Sequence, residues 1–203
     1  MTKVVLFDLD GVLVDACDWH YAALNKALME ICGFGIGREE HDSTFNGLPT
    51  KQKLLMLQLQ GRMKSEDFDA VWAAKQDQTF KTIKEATVQD RTKLELIEAL
   101  ACKGIRSACV TNSIRKSAEM MLDKIQVTDS LEFIIANEDV DNAKPAPDGY
   151  NKAMAKLGVT PDRTVIVEDS DKGYAAALAS GCKDVRKVKN ATQVNLELFK
   201  DIL

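Results

Sequence analysis

Four apolar residues, Val4 to Phe7, run straight into an acidic turn in the stretch VVLFDLDGVLVD. A run this short predicts a fully buried strand. The polar residues then fall at its carboxyl end, where open α/β sheets bind their ligands. Asp8 and Asp10 stand two apart, so a continuing strand puts them on one side. Gly11 lets the backbone leave the strand sharply and leaves room beside the carboxylates. Two carboxylates about 4 Å apart repel by roughly 4 kcal/mol at an effective dielectric near 20. A shared proton, a lysine or a bound cation offsets this, and Mg²⁺ is the usual partner of oxygen ligands with phosphate nearby. The alternative is a loop of exposed acids capping the next helix.

Helical spacing dominates from Asp15 to about Asp90. Trp19, Ala23, Leu24, Ala27, Leu28 and Ile31 form one apolar stripe, broken by Gly33, Gly35 and Gly37. Gly47 and Pro49 mark a turn, and Leu54, Leu55 and Leu57 the apolar face of a following helix. Ser65 to Ile83 predicts a helix opened by a Ser65 cap, with Phe68, Val71, Trp72 and Phe80 turned inward. From Arg91 the pattern alternates. Helices are expected over 94–103, 114–124, 147–157, 172–180 and 193–203, and strands over 105–110, 131–136, 164–167 and 185–188. Such alternation implies parallel strands with right-handed crossovers. The expected organisation is therefore an α/β parallel-sheet core, residues 1–14 and 88–203, interrupted by a small all-helical domain, residues 15–87.

The totals narrow the function classes. The chain has 203 residues, enough for one core and a small accessory domain. Its formal net charge is −4, which gives no general basic field for nucleic acid or an anionic membrane. No apolar run approaches a bilayer span, and Met1 to Phe7 is too short for a signal peptide. The five cysteines show no metal-binding spacing and are expected as reduced, mostly buried thiols of a cytoplasmic protein, which is expected to be a monomer.

Three of the expected strands end in polar groups: Asp8 and Asp10; Thr111, Asn112 and Ser113; Glu168, Asp169 and Ser170. In a parallel sheet these ends share one edge, beside helix starts whose N–H groups favour phosphate. Lys144 lies just before a helix, in NAKPAPDGY. Each group also has a plain reading: Thr111–Ser113 and Glu168–Ser170 as helix caps, Lys144 as a surface lysine.

FDLDGVL, VTNS, KPAPDGY and VIVEDSDKG, in that order, resemble the four motifs of the haloacid-dehalogenase-like (HAD) superfamily. The branch they look most like holds β-phosphoglucomutase and small sugar-phosphate phosphatases. The resemblance implies a Rossmann-like core with an inserted helical cap and a small phosphorylated metabolite as substrate. It makes Asp8 the nucleophile and Asp10 the general acid and base. Thr111 and Lys144 would bind the transferring phosphoryl group, with Asn112 and Ser113 beside the substrate. Mg²⁺ would be held by the Asp8 carboxylate, the Asp10 backbone carbonyl and Asp169, with Glu168 close by. In the cap, His20, Gly47, Thr50 and Lys51 match positions that face the substrate. Thr50 stands where the mutase has an arginine, and Ile114 where it has a lysine. Losing two cations that a bisphosphate intermediate would need favours hydrolysis over mutase chemistry. A non-catalytic binding protein on the same fold is the remaining alternative.

Overall fold

The computed structural model describes residues 3–86 and 89–203. Its centre is a five-stranded parallel sheet in the order β3-β2-β1-β4-β5. The strands are β1 (Val4–Phe7), β2 (Arg106–Val110), β3 (Ile134–Ile135), β4 (Thr164–Glu168) and β5 (Asp184–Lys187). Strand β1 lies in the middle, with Phe7 level with Cys109 on one side and Val167 on the other. All four of its residues are fully buried, which explains the unbroken apolar run. Val4 and Leu6 belong to the cluster formed with Tyr150, Ala153, Met154, Ala176 and Ala177. Phe7, on the opposite face, meets the edge of Phe199 at 5.9 Å between ring centroids.

Ala16–Ala86 is a compact unit of its own, and the chain on either side of it forms the other. The helical unit holds α1 (Cys17–Cys32), the short α2 (Arg38–Glu40), a π-helical turn at His41–Phe45, α3 (Thr50–Leu59) and α4 (Phe68–Ala86). Leu24, Leu28, Phe45, Leu54, Leu57 and Val71 are the centre of its core. The expected boundary at 87/88 lies outside the described residues. The core unit adds α5 (Arg91–Cys102), α6 (Arg115–Lys124), α7 (Asp148–Leu157) and α8 (Asp171–Ala179). Among the described residues no helix is long and apolar enough to cross a membrane.

Several expectations need correction. The helix predicted over 193–203 is replaced by two short 3-10 turns, Ala191–Gln193 and Leu196–Phe199. The side chains of Asn190 and Asn195 accept the N–H groups of Thr192 and Glu197, and buried Lys93 donates to the carbonyls of Ala191 and Val194 at 2.7 and 2.9 Å. These contacts occupy backbone groups that a helix would use. The strand predicted over 131–136 shortens to Ile134–Ile135, because Leu131 still closes a 3-10 turn on Thr128. Ser65 does not cap with its side chain; its hydroxyl accepts from Gln58 at 2.8 Å. Leu55 points outward while Leu54 and Leu57, three apart, point in. Helix α5 starts at Arg91 rather than 94, since the Asp90 carboxylate accepts the Thr92 N–H. Of the five cysteines, Cys109 and Cys182 are buried but Cys102 is exposed.

Candidate active site

Strand β1 ends at Phe7, and one more bond, from Asp8 N–H to the Val167 carbonyl at 3.0 Å, carries Asp8 onto the edge of the sheet. The chain then turns: Leu13 and Val14 donate to the Leu9 carbonyl, and Gly11 to Val14. Asp8 and Asp10 therefore do not share a continuing strand. They diverge, Asp8 toward Lys144 and Asp10 toward Ser113.

Gly11 has φ +86°, and a Cβ there would lie 2.3 Å from an Asp169 carboxylate oxygen. Gly173, in the first turn of α8, has the same relation to Glu168: a Cβ would sit 2.0 Å from its Oε2. The two glycines thus make room for the carboxylates of Glu168, which ends β4, and Asp169, which follows it. Asp8, Glu168 and Asp169 each offer a carboxylate oxygen, and all three lie within 4.8 Å of one another.

The Lys144 ammonium enters this acidic group from the loop before α7. It donates to Asp8 Oδ1 and Glu168 Oε1, both at 2.6 Å, and to the Val110 carbonyl at 2.7 Å. All three of its protons are thereby placed. The loop is tied to β2 by Asn112, whose side-chain oxygen accepts from Lys144 N–H at 3.0 Å while its amide donates to the Lys144 carbonyl at 3.1 Å. Asn112, expected beside the substrate, here holds the lysine loop. Thr111 is buried, and its Oγ1 accepts the Ser113 N–H at 2.9 Å. Ser113 was also expected beside the substrate, and its hydroxyl donates to Asp10 Oδ2 at 2.7 Å. Ser170 is a cap, accepting the Gly173 N–H at 3.1 Å, whereas no side chain caps α6.

Burial pushes the Asp8 carboxyl up, and the Lys144 charge opposes it; Glu168, Asp169 and Asp10 add to the upward push. Burial works against the Lys144 charge, but Asp8 and Glu168 outweigh it and hold the ammonium above its ordinary value. The lysine is thus a fixed cation that offsets carboxylate repulsion. One buried oxygen of the group, Glu168 Oε2, has no hydrogen-bond partner. An orphaned carboxylate oxygen beside two more carboxylates suits a hard divalent cation such as Mg²⁺. The Asp10 carboxylate stands outside this trio.

The other expected site residues belong to the helical unit. Gly47 turns at φ +76°, and Thr50 opens α3. The Lys51 ammonium lies 5.5 Å from the Trp72 ring centre. His20 Nδ1 is 3.2 Å from the Lys75 ammonium. Lys75 was not singled out from the sequence, although it lies four residues from both Val71 and Thr79 on the buried stripe of α4. A lysine on an inward helical stripe is the signal that could have found it. Tyr150 was also missed; its hydroxyl donates to Glu168 Oε1 from inside the core.

The family model described as haloacid dehalogenase-like hydrolase matches residues 5–186. The phosphorylated carbohydrates phosphatase of Thermotoga maritima is 25% identical over 185 residues, covering 90% of this chain and 83% of the relative. The phosphoglycolate phosphatase of Aquifex aeolicus is 24% identical, covering 97% and 89%. The crystal structure of β-phosphoglucomutase from Clostridium difficile superposes with a TM-score of 0.84 at 21% identity, covering 100% of this chain and 97% of that one.

Proposed function

The chain belongs to the haloacid dehalogenase-like hydrolases, and on that premise we propose that it is a Mg²⁺-dependent phosphatase of a small phosphorylated metabolite, a sugar phosphate above all. The observation that carries the reading is the Asp8 carboxylate, buried at a sheet edge, bound by the Lys144 ammonium and grouped with Glu168 and Asp169. An ordinary structural carboxylate has no need of that surrounding. The names of the two relatives above, both phosphatases of small phosphate esters, support the same reading.

In the proposed reaction an Asp8 oxygen attacks phosphorus and the ester P–O bond breaks, leaving an aspartyl phosphate. Asp10 gives its proton to the departing alkoxide, then takes one from the water that attacks the same phosphorus. The bond from phosphorus to Asp8 breaks, inorganic phosphate leaves, and both carboxylates return to their starting state. Thr111 binds the transferring phosphoryl oxygens, and Lys144, exchanging one of its resting partners for them, stabilises the charge that builds there. Asp8, Asp169 and the Asp10 carbonyl, with Glu168 close by, would hold Mg²⁺. When bound, the cation neutralises phosphoryl charge. The unit Ala16–Ala86 is the proposed cap, with His20, Gly47, Thr50 and Lys51 as its substrate-reading positions.

Hydrolysis is favoured over the mutase reaction because the cations next in sequence to Ile114 and Thr50 already have partners within the protein. Arg115 is engaged by Asp139 and Glu119 and by the Ile134 carbonyl. Lys51 rests over Trp72. The test is phosphate release from a panel of phosphorylated metabolites with and without Mg²⁺, beside β-glucose 1-phosphate with a bisphosphate primer. Mg²⁺-dependent phosphate release is the expected result. Glucose 6-phosphate formed without net phosphate release would replace the phosphatase with a mutase.

A further inference from the structure

We infer that Ser113 is a positioning residue for Asp10, selecting which oxygen of that carboxyl carries the transferable proton. The inference rests on the acid–base role proposed for Asp10. Ser113 and Asp10 are 103 residues apart, yet the serine hydroxyl donates to Asp10 Oδ2 at 2.7 Å. The serine is itself fixed. Its N–H donates to Thr111 Oγ1 at 2.9 Å and its carbonyl accepts from Asn137 N–H at 3.1 Å. The direction of its Cβ is thus set by the loop after β2, independently of any substrate.

The consequence follows from the chemistry of a carboxylic acid. It carries one proton on one oxygen, and the other oxygen is a pure acceptor. A hydroxyl that donates to Oδ2 makes Oδ2 the acceptor and leaves the proton to Oδ1. It also limits rotation of the carboxyl about its Cβ–Cγ bond, which is soft in aspartate. A general acid held this way meets the leaving oxygen in one orientation, and small losses of alignment at such a group cost rate rather than affinity. The three consecutive residues of the β2 loop then divide the work. Thr111 faces the phosphoryl group, Asn112 holds the loop of Lys144, and Ser113 orients the acid.

The experiment compares wild type, Ser113→Ala, Ser113→Thr and Asp10→Asn on an alkyl phosphate and on 4-nitrophenyl phosphate, whose leaving group departs without a proton. The ratio kcat/KM reports formation of the phosphoenzyme. For Ser113→Ala it is expected to fall about 10- to 100-fold on the alkyl phosphate, a part of the roughly 10²–10⁴ that acid–base catalysis supplies. On 4-nitrophenyl phosphate the loss is expected to stay below about 3-fold, and Ser113→Thr restores most of the alkyl rate. An equal loss on both substrates would overturn the inference, as would a raised KM with unchanged kcat, the sign of substrate binding. If Asp10→Asn shows the leaving-group signature and Ser113→Ala does not, the positioning role alone fails. If the wild type hydrolyses neither ester, the function reading fails first.

Discussion

Lys144 is the residue on which the charge balance of the site turns. It is buried, and it separates two buried carboxylates that would otherwise face one another. Removing one partner of a buried ionic group costs more than the group contributes, because it leaves unpaired charge behind. Lys144→Met is therefore expected to lose about 3–5 kcal/mol of unfolding free energy in urea at neutral pH, together with turnover. A loss under about 1 kcal/mol would mean that Asp8 and Glu168 find other compensation. The sequence made Asp8, Asp10, Thr111, Glu168 and Asp169 legible because each stands at or just past a strand end, where polarity breaks an apolar pattern, and Lys144 because it precedes a helix in NAKPAPDGY. The partnerships of Asn112, Ser113 and Tyr150 were not legible. They join residues 32, 103 and 18 positions apart, and a local pattern carries no trace of them.

At the scale of elements, the turns after β1 and β4 depend on missing side chains. Gly173→Ala would force Glu168 aside, since its carboxylate occupies the space of the new Cβ. A displacement of about 1 Å in a catalytic group can cost on the order of 10²-fold in rate. Gly173→Ala is expected to reach that loss while keeping a native circular dichroism spectrum; turnover near the wild-type rate would remove Glu168 from the site's requirements. A second element carries a pH signature. His41, in the π-helical turn, is buried with Nε2 unpartnered. Tyr21 of α1 meets its ring edge-on at 4.9 Å, Asp42 contacts Nδ1 at 3.3 Å, and the charges of Lys53 and Arg38 act on it from α3 and α2. Burial, helped by Lys53, holds its pKa below the ordinary value despite Asp42. The folded state thus favours the neutral ring. Its contribution to stability is whole above about pH 6.5 and is lost as pH falls toward the folded-state pKa, at no more than about 1.4 kcal/mol per pH unit. Between pH 7 and 5, wild type should lose more stability than His41→Phe; parallel curves would refute the assignment. The missed C-terminal helix belongs to this scale as well. Its apolar spacing was real, but Asn190, Asn195 and Lys93 claimed the backbone groups first.

For the whole molecule, the alternation of strands and helices made the parallel sheet legible, and the long strandless stretch made the helical unit legible. What the chain recognises was not, because substrate choice depends on side-chain directions that a helical pattern does not reveal. A ligand that binds only the folded state stabilises it by about 2.7 kcal/mol at 100 times its Kd. Saturating Mg²⁺ should therefore raise the melting temperature of the wild type, and Asp169→Asn should abolish most of that rise. An unchanged midpoint in the wild type would argue against a resident divalent cation.

The central claim is that Asp8 takes the phosphoryl group. It is tested most directly by phosphate release in Mg²⁺ from wild type and Asp8→Asn, side by side on the best ester of the panel. The account predicts turnover by the wild type and none above background by the variant, with both proteins folded. A variant that still releases phosphate at an appreciable rate would contradict it, since no aspartyl phosphate could then form at position 8.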